Sequence, residues 1–176
     1  ALEARVGHQV HPQIEVAARP AAGAVPAFVD VERGTYNVDV ALVDAAITDR
    51  TKAILVPNLV GNVPDWDRIR AVADAHDLVV IEDSCDVLDA RLHGRRTGER
   101  ADISVTSFAR GHAITAAGGG GLIGVDDDAC LDRVVALRRW GRRGETYEFG
   151  TRRGERERFG PLADGTAYDL VFVFDH

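Results

Sequence analysis

The feature that most restricts the fold is an alternation of short apolar runs with stretches of helical spacing, sustained from Ala24 into the 130s. "AFVDV" (27–31), "AILVP" (53–57), "LVVIED" (78–83), "ISVTSF" (103–108) and "GLIGV" (121–125) read as strands, with Pro57 stopping the second. Between them, "VALVDAAI" (40–47) reads as a short helix. "PDWDRIRAVADAHD" sets Trp66, Ile69, Val72, Ala73 and His76 at helical spacing, with Asp65 where a carboxylate meets the unpaired amides of a first turn. "DDDACLDRVVALRRWG" carries acids at its start, arginines near its end and Gly141 as a stop, the charge order that a helix dipole favours. Strands separated by helices need crossover connections, so the spacing predicts an α/β protein with an at least partly parallel sheet.

At 176 residues, 45% of them hydrophobic, the chain is long enough to bury one continuous core. Its formal net charge of −7 argues against a nucleic-acid or anionic-membrane partner, because binding to phosphate surfaces is driven by a cationic footprint. Cys85 and Cys130 stand far apart, with neither a CxxC pair nor a His/Cys ligand spacing, so no zinc or iron–sulfur site is expected. No run approaches the length of a transmembrane helix, and "ALEARVGHQVHPQ" lacks the apolar core of a signal peptide. The expectation is a cytoplasmic protein, not exported, whose partners are small molecules or other proteins.

Both ends depart from the alternation. Residues 1–23 have weak periodicity, and "AARPAAGAVP" reads as a connection. "RRWGRRGETYEFGTRRGERERFG" (138–160) is dense in arginine with interspersed glutamate, and leads into the apolar, strand-like "YDLVFVFDH". Such an ending is expected of a chain cut from something longer or completed by a partner. The arginines suit either a solvated surface paired with Glu145, Glu148, Glu155 and Glu157 or a clamp on a diphosphate.

Candidate chemistry gathers in two places. Ligands of open α/β sheets bind beyond the carboxyl ends of the strands, where "VVIEDSCD" places Glu82, Asp83 and Asp86. These carboxylates could hold a cationic group or a sugar hydroxyl, or merely cap a turn. The second place is "SFARGHAITAAGGGGLIGV" (107–125), where His112 precedes four glycines. The glycines permit either close backbone approach to a ligand or a plain hairpin, and they match neither a Walker loop nor GxGxxG. His112 could be an ordinary surface histidine or a general base suited to neutral pH. The chain has a single lysine, Lys52, so chemistry that needs a lysine amine has almost nowhere to go.

The segment "AGAVPAFVDVERGTYNVDVALVDAAITDRTKAILVPNLVGNVPDWDRIRAVADAHDLVVIEDSCD", with "RRTGERADISVTSFARGHAITAAGGGGLIGV" and "LRRWGRRGE", resembles the large domain of the DegT/DnrJ/EryC1/StrS family. These are fold-type-I enzymes that use pyridoxal or pyridoxamine phosphate on nucleotide sugars. The resemblance implies a three-layer α/β sandwich with a mostly parallel sheet over residues 24–141. Residues 1–23 are then an atypical N-terminal segment, 142–176 an Arg-rich loop and terminal strand, and the family's small C-terminal domain is absent. Where the family usually carries its cofactor-binding lysine, after Ser-Phe and three intervening residues, this chain has His112, which looks like the branch of nucleotide-diphospho-4-keto-6-deoxyhexose 3-dehydratases.

On that resemblance the cofactor works untethered as pyridoxamine phosphate, with His112 as the general base that takes a proton from its C4′ carbon and helps expel the sugar C3 hydroxyl. Asp83 would pair with the pyridinium nitrogen, Asp86 would lie near the ring hydroxyl, and Ser107 would donate to the phosphate. Asn58 and Gly61 match a loop beside the site. Partners implied are a nucleotide-diphosphate sugar and a second subunit, as a homodimer or a heteromer with a family member. Departures are equally specific. The family's phosphate-binding turn would lie before Ala1, "VHPQIEVAARPAAG" has no aromatic to stack on the cofactor, and Asp89 replaces a common glycine. They support an alternative, a truncated, non-catalytic family member that serves as a partner subunit or a repurposed small-molecule binder.

Overall fold

The computed structural model describes residues 23–138 in full, together with the backbone of three strands outside that range, 3–7, 159–161 and 167–169. Most of the arginine-dense stretch, the Gly141 stop, "VHPQIEVAARPAAG" and the run beyond Asp169 lie outside the described residues. The chain divides into two compact units, Ala1–Gly124 and Val125–His176.

The first unit is an α/β layer structure built on a six-stranded sheet. Its strands are β1 (Glu3–Gly7), β2 (Ala27–Val29), β3 (Thr51–Pro57), β4 (Val79–Asp83), β7 (Ile103–Ser107) and β8 (Gly121–Val125), in the spatial order β2-β1-β3-β4-β7-β8. The β1–β2, β1–β3, β3–β4 and β4–β7 pairs are parallel. Contacts between β7 and β8 run in opposite senses, from Phe108 N–H on Gly120 O to Gly124 against Ser104. A mostly parallel sheet is therefore present, as the alternation requires. The segment that connects β4 to β7 along the chain forms a separate two-stranded antiparallel ladder, β5 (Arg91–Leu92) with β6 (Arg95–Arg96).

Helices α1 (Val40–Ala46) and α2 (Trp66–Ala75) follow from local chemistry. Asp39 caps α1 by accepting from Ala41 N–H at 2.9 Å, and Asp65 caps α2 by accepting from Arg68 N–H at 3.1 Å. The α2 stripe Trp66, Ile69 and Ala73 is buried, with Val72 partly so, whereas His76 is exposed and meets Asp44 at 3.1 Å. These side chains cover Ile54 and Val56 of β3 and Val80 of β4, which with Val29, Val38, Val40, Val43 and Leu78 form one core cluster. Alternation puts Ala53, Leu55, Ile81 and Asp83 on the opposite, less buried face.

Two elements differ from the sequence expectation. β1 lies within residues 1–23, whose periodicity is weak, the alternation of Glu3 and Arg5 with Ala4 and Val6 being too brief to mark a strand, yet it pairs with strands on both sides, Arg5 facing Ala27 and Ile54. "AFVDV" ends as a strand at Val29 because Asp30 turns its carboxylate onto Val31 N–H at 2.8 Å. In the second unit, α3 (Asp128–Arg138) starts where Asp127 accepts from Cys130 N–H at 2.6 Å, and β9 (Phe159–Pro161) pairs antiparallel with β10 (Ala167–Asp169).

The β5–β6 ladder is pinned to the first turn of α2. Arg100, with only 3% of its side chain exposed, donates to both oxygens of Asp67 and to Leu92 O, and His93 Nδ1 lies 2.7 Å from Asp67 Oδ2. The Arg100 hydrogen bond first, and that of His93 second, lower the Asp67 carboxyl to about 2. A depressed carboxylate stabilises the fold above its unfolded pKa, and that contribution fades as pH falls toward the folded value. Urea midpoints should therefore drop between about pH 4 and about pH 2, and Asp67→Asn should remove part of that acid limb.

The four glycines differ in the room around them. Nothing lies within 4 Å of a Cβ built on Gly118 or Gly119, but one on Gly121 would sit 2.7 Å from Thr106 O of the neighbouring strand. Gly121→Ala should cost roughly 1–3 kcal/mol in chemical denaturation, and Gly118→Ala less than about 0.5 kcal/mol.

Candidate functional site

Parallel pairing brings the carboxyl ends of three strands level. Pro57 of β3 stands opposite Asp83, and Asp83 opposite Val105 of β7. The chain leaves β4 through Ser84, whose N–H donates to Val105 O at 2.8 Å, and leaves β3 through Asn58, whose N–H donates to Asp83 O at 2.9 Å. The functional candidates thus stand on segments locked together by backbone hydrogen bonds.

Asp86 and His112, 26 residues apart, meet directly, with Asp86 Oδ1 3.2 Å from His112 Nδ1. Both side chains are partly sheltered, at 32% and 18% exposure. A carboxylate oxygen only accepts, so the neutral imidazole is assigned with its proton on Nδ1 and its lone pair on Nε2. Asp86 Oδ2 also receives Val60 N–H at 3.4 Å from the single-turn 3₁₀ helix Leu59–Gly61. That loop is strained, since Val60 is held at φ 53°, a left-handed conformation that a β-branched residue seldom adopts. His112 itself sits on the 109–120 loop, closed at its base by Phe108 N–H to Gly120 O at 2.8 Å and Ala116 N–H to Phe108 O at 3.2 Å.

Asp83 faces away from α2. Its Oδ1 accepts from Cys85 N–H at 2.9 Å, the short turn that the capping alternative anticipated, and its carboxylate also engages the Cys85 thiol. Burial first, then the Asp83 hydrogen bond and the charges of Asp83 and Asp86, push that thiol up to about 12, and the Ser107 backbone only partly opposes them. Cys85 therefore stands with Asp83 and the Ser107 backbone and within the field of Asp86, a place its lone spacing in the sequence gave no means of seeing. Ser107 Oγ accepts from Ala109 N–H at 3.1 Å and keeps its own hydrogen to donate. A cavity of about 450 Å³ opens beside Cys85 and Ser107, with Phe108, Ile114, Leu122 and Ile123 among its walls.

Asn58 is differently placed. It is 1% exposed and its amide is engaged within the chain, donating to Glu82 Oε1 at 2.8 Å and Ser84 Oγ at 3.0 Å and accepting from Trp66 Nε1 at 2.8 Å. Its contact with Asp83 runs through the backbone. Asp89 takes φ 50°, the conformation glycine favours, and its carboxylate lies 3.5 Å from Arg96.

A sequence profile of the DegT/DnrJ/EryC1/StrS aminotransferase family matches residues 16–160. The chain belongs to this family. The dTDP-4-dehydro-2,6-dideoxy-D-glucose 3-dehydratase of Saccharopolyspora spinosa is 38% identical over 159 residues, which cover 88% of this chain and 33% of that protein. Among solved structures, the aminotransferase from Psychrobacter cryohalolentis matches with a TM-score of 0.78 and 28% identity, over 98% of this chain and 41% of that one. Bacillus subtilis ntda with the bound cofactor PMP matches with a TM-score of 0.75 and 28% identity, over 84% and 33%. This chain spans about a third of the length of the curated relatives it matches.

Pyridoxal and pyridoxamine phosphate are the cofactors of this family, and the residues present fit the ring end of such a group. Asp83 is a half-buried carboxylate at a strand end, paired with no cation among the described residues, which suits a pyridinium N–H. Ser107 offers a hydroxyl donor at the neighbouring strand end.

The thiol provides a direct check on this geometry. At pH 8, iodoacetamide should modify Cys85 on the order of 30-fold more slowly than an ordinary thiol, because a thousandfold loss of thiolate is only partly offset by its greater nucleophilicity. Site-resolved mass spectrometry over a pH series measures this, and the rate should still be climbing at the alkaline end.

Proposed function

We propose that this chain carries the large-domain site of a pyridoxamine-phosphate-dependent nucleotide-diphospho-4-keto-6-deoxyhexose 3-dehydratase of deoxysugar or natural-product biosynthesis. The observation that supports it best is the His112 ring seated on Asp86 where the family pattern has lysine. The single lysine cannot serve instead. Lys52 lies near the start of β3, five residues before Pro57, so about 16 Å of strand separates it from the level of Asp83. Of the activities named among the relatives, the 3-dehydratase of Saccharopolyspora spinosa agrees with a histidine in that place, and the family's aminotransferase chemistry calls for the lysine.

When bound, pyridoxamine phosphate supplies an amine that condenses with a sugar carbonyl and a ring that accepts an electron pair. The chain's own residues do the rest. Asp83 holds the ring-nitrogen proton, which keeps that ring electron-poor. Asp86 fixes the proton on His112 Nδ1 and orients the imidazole, leaving Nε2 to take up a proton and return it to a departing hydroxyl. Ser107 Oγ donates to the phosphate. Histidine serves here because it forms no covalent imine and so remains free for proton transfer throughout.

An absorbance titration with pyridoxamine phosphate and pyridoxal phosphate tests this reading, on the wild type, His112→Ala and His112→Lys. Saturable binding of the pyridoxamine form is expected, with no stable covalent imine to pyridoxal phosphate except in His112→Lys, where borohydride should trap it. With substrate, His112→Ala should lose roughly 10²- to 10⁴-fold in C3 dehydration. Binding of neither form by the wild type overturns the enzymatic reading in favour of a non-catalytic family member that acts as a partner subunit or binds another small molecule.

A further inference from the structure

Two carboxylates leave the end of β4 in opposite directions. Asp83 faces the candidate site, and Glu82 points behind the sheet, where it is 0% exposed. A buried carboxylate is costly unless its oxygens are satisfied, and among the described residues no cation pairs with Glu82. Three uncharged donors converge on it instead, each from a different segment. Asn58 Nδ2, just past β3, donates to Oε1 at 2.8 Å. Ser84 Oγ, just past β4, donates to the same oxygen at 2.6 Å, and Gly98 N–H, in the turn that leads toward β7, donates to Oε2 at 2.7 Å.

The pattern is directional. The indole N–H of Trp66 can only donate, so its 2.8 Å bond to Asn58 Oδ1 fixes which way the Asn58 amide faces and presents Nδ2 to Glu82. Every remaining contact asks residue 82 to accept, a demand that glutamate meets and glutamine, with an NH₂ in place of one oxygen, does not. The same three segments hold the site. Asn58 N–H binds Asp83 O, Ser84 N–H binds Val105 O, and Gly98 lies against β7 closely enough that a Cβ built on it would sit 3.6 Å from Ser104 Oγ.

We infer that Glu82 is a positioning residue that draws the ends of β3 and β4 and the turn before β7 to one point and thereby sets where the Asp83 carboxylate stands. That Asp83 serves a cofactor rests on the function proposed above; that Glu82 places it does not. The chemistry also names its own rescue. Glu82→Gln combined with Asn58→Asp exchanges amide and carboxylate across one hydrogen bond, leaving Trp66, Ser84 and Gly98 each with a compatible partner.

The test compares wild type, Glu82→Gln, Asp83→Asn and the double variant Glu82→Gln/Asn58→Asp by the iodoacetamide rate at Cys85, with Cys130 and the thermal midpoint read in parallel. Cys85 should react roughly 10-fold faster in Glu82→Gln and in Asp83→Asn, with Cys130 unchanged, and the double variant should return to within about twofold of wild type. An unchanged Cys85 rate in folded Glu82→Gln overturns the inference, as does a double variant that stays fast. If Glu82→Gln fails to fold, the double variant decides: recovery of fold and of Cys85 protection supports the inference, and failure of both overturns it. A titration with pyridoxamine phosphate and pyridoxal phosphate separates the two proposals. Loss of affinity in Glu82→Gln, recovered in the double variant, supports both. A wild type that binds no cofactor defeats the proposed function, and the cysteine rates still decide the role of Glu82.

Discussion

The parallel pairing of β3 with β4, in the register that sets Pro57 opposite Asp83, is the constraint on which the rest of the first unit depends. It places Ile54 and Val56 beside Val80 on one face, a surface that α2 covers with Trp66, Ile69 and Ala73. A parallel pair cannot be closed by a tight turn, so the 58–78 connection has to carry a helix back across the sheet. The anchor of that helix is also polar. Arg70 donates to Asp102 Oδ2 at 2.8 Å and to Leu78 O at 3.2 Å, and Asp102 receives Val80 N–H at 2.7 Å. Burial alone would raise the Asp102 carboxyl, but Val80 N–H and then Arg70 more than offset it and hold the group low.

Because side chains alternate along a strand, the same register gives β4 two chemically different ends. Glu82 is enclosed and satisfied by donors, whereas Asp83, one residue on, stands on the half-buried face with a thiol and a backbone amide for company. A one-residue slip would exchange them, burying the site carboxylate and exposing the one that ties three segments together. The polar network behind the sheet and the candidate site in front of it are two consequences of one ladder.

Membership in a family that handles pyridoxal and pyridoxamine phosphate gives these ends a chemical context. Close to these ends stand a histidine supported by an aspartate and, at position 89, an aspartate held in the left-handed conformation that glycine favours. The strained Val60 loop belongs with them, since its amide reaches Asp86 from the end of β3.

Much of this was legible in the chain itself. Strands β2, β3, β4, β7 and β8 and helices α1, α2 and α3 each have an apolar period or a capping residue that local sequence states outright, and the motif order identified the family. β1 was not legible, because its alternation of Glu3 and Arg5 with Ala4 and Val6 is too brief to stand out, and a short strand held between two parallel neighbours draws its stability from their hydrogen bonds. The sequence by itself determined which residues could do chemistry: His112 in place of lysine, Asp83 and Asp86 after a buried strand, Ser107 at the end of another. Only the tertiary structure decided what each one touches. Strand pairing brought Asp86 to His112, turned Asn58 into a buried strut between Trp66 and Glu82, and gave Cys85 its place between Asp83 and Ser107, because the contacts of Asp86 with His112, Asn58 with Glu82 and Cys85 with Ser107, each across more than 20 residues, depend on strand register and facing, which no local pattern encodes.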